Sequence, residues 1–417
     1  MKHVRVASHR CTNEIQKTKF EKIDENATIK TKIQKTNTNT PKCVAYIFFA
    51  VTFSFLGHKQ SAMALQQNAH IIRPTFMRSE RVSSNQEKLN ELVYYATMAP
   101  SSHNTQCWRF RVNESLNTIM VFPDFKRRCP TVDPDDHHLY VSLGCAVENL
   151  VLAAEARGYN PQVDSSSPED GIRVKLSPGD DSSLARTTAD LFDAIPKRQV
   201  SRCDYDGKPI SQEELLQLEQ AGASTTRGVN VRVLLVTDRK KMNDVLDHVI
   251  GANTIQMNDP NFKKELVSWV RFNEKDAAAR GDGLYGKCTD NPAIPTVIGK
   301  LIFNMVARAS TENKKIVKQV ESSAGFAIFV SERNDVRHWV ETGRCYERFA
   351  LRATTLGIRN AFLNQPVEVE KERPLFSAML GLKESERADL IVRFGSGPEM
   401  PISPRRPLED VVEWMNE

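Results

Sequence analysis

The chain of 417 residues is poor in the signatures that would settle its chemistry at once. It has eight cysteines, no C-x-x-C pair and no cysteine spaced with histidine as zinc ligands are, so a structural metal site is not expected. It has no P-loop and no G-x-S-x-G. Ser102 beside His103 therefore carries no hydrolase reading, because adjacent residues do not reach triad geometry. It has little net charge outside its beginning. The first 64 residues hold 11 Lys/Arg and 4 Asp/Glu, and the remainder is slightly acidic at −2, which excludes the basic footprint of a nucleic-acid binder. Its longest apolar run near the start, Cys43–Gly57, has 15 residues, short of the roughly 20 that span a bilayer.

That run is informative in another way. A basic stretch without acids, residues 26–42, precedes it, and Ala62-Met63-Ala64 follows as an A-x-A site. Basic region, apolar core and small-residue site make a targeting leader, residues 1–64, with export or organelle import as the expected destination. No twin-Arg pair occurs in it. A start placed too far upstream, which would leave the protein cytoplasmic, and an uncleaved anchor are the other readings. No stable membrane association is expected once the leader is removed.

Two segments then match without a gap. GCAVENLVLAAEARGY (Gly144–Tyr159) and GRCYERFALRATTLGI (Gly343–Ile358) share Gly144/Gly343, Glu148/Glu347, Leu152/Leu351, Ala154/Ala353 and Gly158/Gly357. Each carries an apolar face at helical spacing and ends at Gly, as a core helix does. The flanks agree. Strands are expected at Trp108–Val112, Thr118–Phe122, Ile172–Leu176, Val231–Val236, Phe326–Val330, Arg359–Leu363 and Leu390–Phe394. Helices are expected at Gln86–Met98, Gln212–Ala221, Arg239–Ile250 and Asp335–Leu356. The pattern predicts an α+β sandwich of two pseudo-repeats, residues 65–194 and 195–417, packed as an internal dimer, so a monomer in solution. Residues 252–320 show little periodicity and read as a lid-like insertion in the second repeat.

Two motifs are set aside on context. GDGLYG (Gly281–Gly286) satisfies G-x-G-x-x-G, but it follows a helical stretch and precedes prolines, so it is not a dinucleotide turn. DPDDHH (Asp133–His138) invites a metal, yet Asp133 suits an N-cap and Pro134 the first helical position.

ATMAPSSHNTQCWRF, ending at Phe110, resembles the A-x-x-APS-x-x-N-x-QPW-x-F signature of the nitroreductase superfamily. Together with DPDDHHLYVSLGCAVENLVLAAEARGY and LNQPVE (Leu363–Glu368), the chain is similar to the fused, two-repeat Acg-type FMN-binding proteins over about residues 86–415. The resemblance implies a nitroreductase-like fold and FMN as cofactor. Asn104 would bond the polar edge of the flavin ring, and Ser101, Ser102 and Gln106 would shape the turn beside it. KRQVSRCDY (Lys197–Tyr205) resembles the superfamily's R-R-S-x-R segment. SPRRPLEDVV (Ser403–Val412) resembles the basic segment before its last helix. Arg198, Arg202, Arg405 and Arg406 are the implied partners of the phosphate and the ring's N1/O2 edge, for which a planar, permanently charged guanidinium is suited. Where the signature has Pro after Gln, this chain has Cys107.

The turn belongs to the first repeat and the arginines follow in the second, so one FMN per chain is expected. The implied activity is electron transfer from NAD(P)H through FMN to a nitro, quinone-like or other electron-poor small molecule, with no catalytic side chain required. The alternative is a protein that binds and shields FMN under a closed cover, for which Trp269, Phe272, Leu284 and Tyr285 are candidates.

Overall fold

The first element of the computed structural model is α1, Asn85–Thr97, started by a capping box in which Ser84 and Glu87 bond reciprocally. Residues 84–415 are described, apart from 180, 181 and 290, and all belong to one compact unit. The leader and the first residues of the first repeat, up to 83, lie outside them.

After α1 the chain makes β1 (Trp108–Asn113), β2 (Thr118–Pro123), the long helix α2 (His137–Ala156), β3 (Tyr159–Asp164), β4 (Ile172–Pro178) and α3 (Ser182–Ala194). The second half repeats this sequence of elements: α4 (Gln212–Ala221), β5 (Val231–Val236), then an insertion, then β8 (Gly325–Ser331), α10 (Val336–Thr355), β9 (Ile358–Phe362) and β10 (Arg387–Ser396). Both sheets are antiparallel and have the same order, β1-β2-β4-β3 and β5-β8-β10-β9. The C-terminal strand β11 (Val412–Trp414) then pairs parallel to β1, so the end of the second half completes the sheet of the first.

The helices α2 and α10 pack against each other in the middle. Their faces supply much of the main core, with Leu143, Val147, Tyr346 and Phe349 buried in it. Among the described residues α2 is the one helix long and apolar enough to cross a membrane, and it is buried here as a core helix. The crossing is backbone on backbone. A Cβ on Gly144 would meet the Val340 carbonyl oxygen at 1.9 Å, and a Cβ on Gly343 would meet that of Val141 at 1.9 Å. The contact is reciprocal: each glycine faces the residue that stands three before the other.

Three details differ from expectation. Residues 252–320 are not irregular. In the insertion, α5 (Arg239–Asn258) continues through Gly251, and α6 (Pro260–Trp269), β6 (Val270–Arg271), α7 (Glu274–Arg280), β7 (Leu284–Tyr285), α8 (Thr296–Val306) and α9 (Ala309–Glu321) follow. Pro260, Pro292 and Pro295 punctuate these short elements and break the period that a sequence window would detect. Helix α2 starts at His137, not at Pro134. Asp133 caps it from farther back, accepting from the His138 N–H at 2.9 Å and the Leu139 N–H at 2.9 Å. The segment after Ser403 ends in β11 where the resemblance implied a helix, because pairing with β1 satisfies its backbone instead.

Candidate functional site

Residues 98–106 connect α1 to β1, and three of them sit where L-residues rarely go: His103 at φ 50°, Asn104 at 53° and Gln106 at 52°. Three such residues in one short turn must be held by their surroundings. Ser101 Oγ accepts from the Gln106 N–H at 2.8 Å, and the Ser102 N–H donates to Ser142 Oγ on α2 at 3.2 Å. Asn104 Nδ2 donates to the carbonyls of Gly283 (3.1 Å) and Pro404 (3.2 Å), while its Oδ1 accepts from Arg405 Nη1 at 3.1 Å. Gln106 Nε2 donates to the Gly281 carbonyl at 2.8 Å, and its Oε1 accepts from the Arg406 N–H at 2.8 Å. The two amides thus clasp the turn to the insertion and to the C-terminal segment.

Beside this turn lies a cavity of about 600 Å³. The first half lines it with Pro100, Ser101, Ser102, His103, His138 and Cys145. The second half lines it with Arg202, Tyr346, Phe362, Glu368 and Arg393. The insertion closes it with Met257, Phe262, Phe272, Leu284, Ile302 and Phe303. An adjoining cavity of about 80 Å³ is lined by Ser101, Asn104, Arg198, Arg202, Ser403 and Arg405. The sequence candidates therefore converge: Ser101, Ser102 and Arg202 on the larger cavity, Asn104, Arg198 and Arg405 on the smaller. Gln106 and Arg406 stand behind the turn and line neither.

The four arginines are not alike. Arg198 is buried, ion-paired with Glu347 at 3.1 Å, and donates to the Met98 carbonyl at 2.9 Å. Arg405 donates to the carbonyls of Thr97, Met98 and Ala99 at 2.7–3.1 Å, a cation across the open end of α1. Arg406 bonds the Asp410 carbonyl at 2.9 Å. Arg202 lines both cavities, and among the described residues its guanidinium has no hydrogen-bond or ion-pair partner. Burial and the nearby Arg393 guanidinium pull its pKa down from the ordinary arginine value. Arg393 is itself satisfied by the Cys203 carbonyl at 2.8 Å and lies 4.2 Å over the Tyr205 ring.

Trp108 and Phe110 are core residues, not cavity walls. Cys107 is a packed thiol whose pKa burial pushes up to about 12, far from a reactive thiolate. None of the six described cysteines forms a disulfide, and no group of three or more His, Cys, Asp or Glu among the described residues could hold a metal.

Several cavity residues escaped the sequence reading. His138 and Glu368 line the cavity 3.6 Å apart, with Gln256 Nε2 donating to Glu368 at 2.7 Å. His138 was hidden inside a capping motif, and Glu368 lay in LNQPVE without a role. Arg393 carried a usable signal, a cation inside the apolar strand Leu390–Phe394. Of the apolar cover, Phe272 lines the larger cavity, Tyr285 the smaller and Leu284 both. Trp269 lies outside, under the guanidinium groups of Arg127 (5.4 Å) and Arg271 (5.8 Å).

Those two arginines share Asp282. Arg271 Nη2 lies 2.6 Å from its carboxylate, and Arg127, from the first half, also pairs with it. Asp282 therefore ties the insertion to the loop after β2. Asp282→Ala leaves two cations unpaired, and breaking a buried pair costs about 3–5 kcal/mol. We expect amide exchange across residues 270–290 to accelerate in this variant while that of β8 and β10 stays unchanged.

His103 gives the site an acid limit. Burial first, then the Arg202 charge, lower its pKa to about 4 from the 6.5 of a free histidine. The folded state holds it neutral, so its contribution is complete above pH 6.5 and is lost as pH falls towards 4. His103→Asn, which tolerates the left-handed backbone, is expected to lose less stability than the parent over that window, by on the order of 1–3 kcal/mol, read from urea midpoints.

No family model matches the chain. It is 26% identical over 340 residues to a Mycobacterium tuberculosis protein named "Putative NAD(P)H nitroreductase Rv3131", covering 79% of this chain and 92% of that one. It is 23% identical over 335 residues to "Putative NAD(P)H nitroreductase acg" of the same organism, covering 78% and 94%. The similarity over most of the chain is thus to proteins named as nitroreductases. Among solved structures, the FMN- and NADPH-dependent nitroreductase NfnB of a Sphingopyxis strain is 14% identical, with a TM-score of 0.37, covering 54% of this chain and 99% of that one.

Proposed function

We propose that the chain is a member of the nitroreductase superfamily, an FMN-dependent oxidoreductase that passes electrons from NAD(P)H to a nitro, quinone-like or other electron-poor small molecule. One observation carries the reading: Arg202, an unpartnered guanidinium on the wall of a cavity of about 600 Å³ whose other walls are largely apolar. A half-buried cation that faces a second one, Arg393, and meets the Glu368 carboxylate only beyond ion-pair distance favours an anionic ligand. FMN fits that demand, with a phosphate, a polar ring edge and a flat apolar body, and the volume lies within the usual range for such sites.

Arg202 would meet an anionic part of the cofactor, Tyr346 and Phe362 would flank its body, and the strained turn at Ser101–His103 would face it. The cofactor supplies hydride and electron transfer when bound. The chain's residues bind, orient and exclude water. The relatives named as NAD(P)H nitroreductases support the nicotinamide donor.

We further infer an internal duplication, supported by the shared strand order and the reciprocal glycine contact, with one flavin per chain. The sequence match sets Ser142, Cys145 and Asn149 of α2 against Glu341, Arg344 and Arg348 of α10. Beside the cavity the first two are small, Ser142 and Cys145. On the opposite side Arg344 and Arg348 pair with Glu148 at 2.8 and 2.9 Å, and Glu341 accepts from Ser224 Oγ at 2.9 Å, which closes the equivalent space. Export remains a proposal that rests on the leader's sequence alone.

The clasp of the insertion by Asn104, Gln106 and Asp282 favours a second reading, in which the cofactor is held and shielded. The test is the absorption spectrum and flavin content of the purified chain, followed by turnover with NADH and NADPH. Yellow protein with one FMN that reduces acceptors supports the first reading. Yellow protein that the nicotinamides do not bleach supports the second. Colourless protein that refuses added FMN ends both.

A further inference from the structure

Helix α8, TVIGKLIFNMV, is apolar almost all round. Its inner side, Gly299, Ile302 and Phe303, walls the cavity. A helix apolar on every side is normally covered on every side, yet the outer side of α8 is bare. Val297 is 83% exposed, Leu301 65%, Met305 59% and Ile298 49%. At spacings of three and four these four form one stripe, and they are four of the ten exposed large hydrophobic residues among those described. A concentrated apolar patch of this kind marks a contact surface.

The charges around the stripe identify what it meets. Between residues 287 and 315 the sequence has Lys287, Lys300, Arg308, Lys314 and Lys315 against Asp290 and Glu312, while residues 65–417 together are slightly acidic. Lys300, Arg308 and Lys314 are exposed, and among the described residues none has an ion-pair partner. Lys287 pairs loosely with Glu274 at 3.9 Å, and Lys315 bonds the Thr289 carbonyl at 3.4 Å. A protein partner of mixed surface charge gives no reason for flanks with five cations against two acids. An anionic lipid surface does, attracting the cations while the stripe enters the acyl boundary.

We propose that α8 is a docking face for an anionic lipid bilayer. This departs from the expectation of no membrane association after leader removal, and it stands independently of the flavin reading.

The test uses the full chain. The leader's own apolar run also meets lipid, so bulk partition is not the primary readout. Amide exchange is followed over residues 292–308 with vesicles of phosphatidylcholine alone and of phosphatidylcholine with equimolar phosphatidylglycerol. Exchange there is expected to slow about tenfold or more on the anionic vesicles only, and added salt is expected to reverse the effect. Leu301→Glu with Met305→Glu is expected to abolish the slowing. Should that variant not fold, Lys300→Glu with Arg308→Glu leaves the stripe intact and is expected to remove the preference for anionic vesicles. Unchanged exchange on anionic vesicles overturns the proposal. So does slowing that survives the first variant, or that appears without vesicles as protein concentration rises, which assigns the face to a second copy of the chain.

Discussion

Gly144→Ala is expected to unfold at a far lower urea midpoint than the parent, and Gly343→Ala to match it. The added methyl of either variant lands 1.9 Å from a carbonyl oxygen of the facing helix, at Val340 or Val141. A side chain could swing aside, but a helix backbone cannot, so α2 and α10 must separate. Overpacking costs about 1–3 kcal/mol where side chains adjust. With backbone as the obstacle we expect the upper end or beyond, a large share of the roughly 5–15 kcal/mol that holds a domain folded. Gly158→Ala is the control. Gly158 ends α2 at φ 79° with nothing within 4 Å of a new Cβ, so only the left-handed penalty of about 1–2 kcal/mol applies. Flavin retention should follow the same ranking, because Cys145 on α2 and Tyr346 on α10 both line the cavity. Equal midpoints for Gly144→Ala and the parent would remove the close crossing from the description.

The two helices of that crossing, though not the crossing itself, were legible in the sequence for a physical reason. Core helices and strands are set by periodic burial over many residues, and such periods survive inspection of one chain. Val231–Val236 and Gln212–Ala221 were placed to the residue, and Asp335–Leu356 came within one residue at each end, while the start of α2 was placed three residues early. The insertion was not legible. Its helices are short, broken by proline, and α8 carries apolar residues on both faces, which erases the period. The site was legible in its members but not in their bonds. The family resemblance implied one place for Asn104, Arg198, Arg202, Arg405 and Arg406 and gave the arginines one shared role. What distinguishes them is tertiary: the carboxylate of Glu347 and the open carbonyls of α1 reach two of them, and no such group reaches Arg202.

This difference yields the second large expected effect. Arg202→Met should leave the fold of the flavin-free protein as stable as the parent, or more so. It removes a half-buried cation that has no hydrogen-bond or ion-pair partner among the described residues and that faces Arg393, another cation. The same substitution should weaken FMN retention about 10- to 150-fold, since a charge-assisted hydrogen bond is worth about 1.5–3 kcal/mol. Arg198→Met should do the reverse in order of cause. It strands the buried carboxylate of Glu347, costing about 3–5 kcal/mol of stability, and any loss of flavin follows from the damaged fold. Arg198→Met with Glu347→Leu should then recover most of that stability, because an apolar pair of similar volume needs no counter-charge. Urea midpoints of the apo proteins and flavin titrations of the same four preparations separate the two roles. If Arg202→Met retains FMN like the parent, the anion site lies elsewhere. If it destabilises the apo fold by several kcal/mol, Arg202 is a structural cation, and the cavity loses the observation that made it a cofactor site.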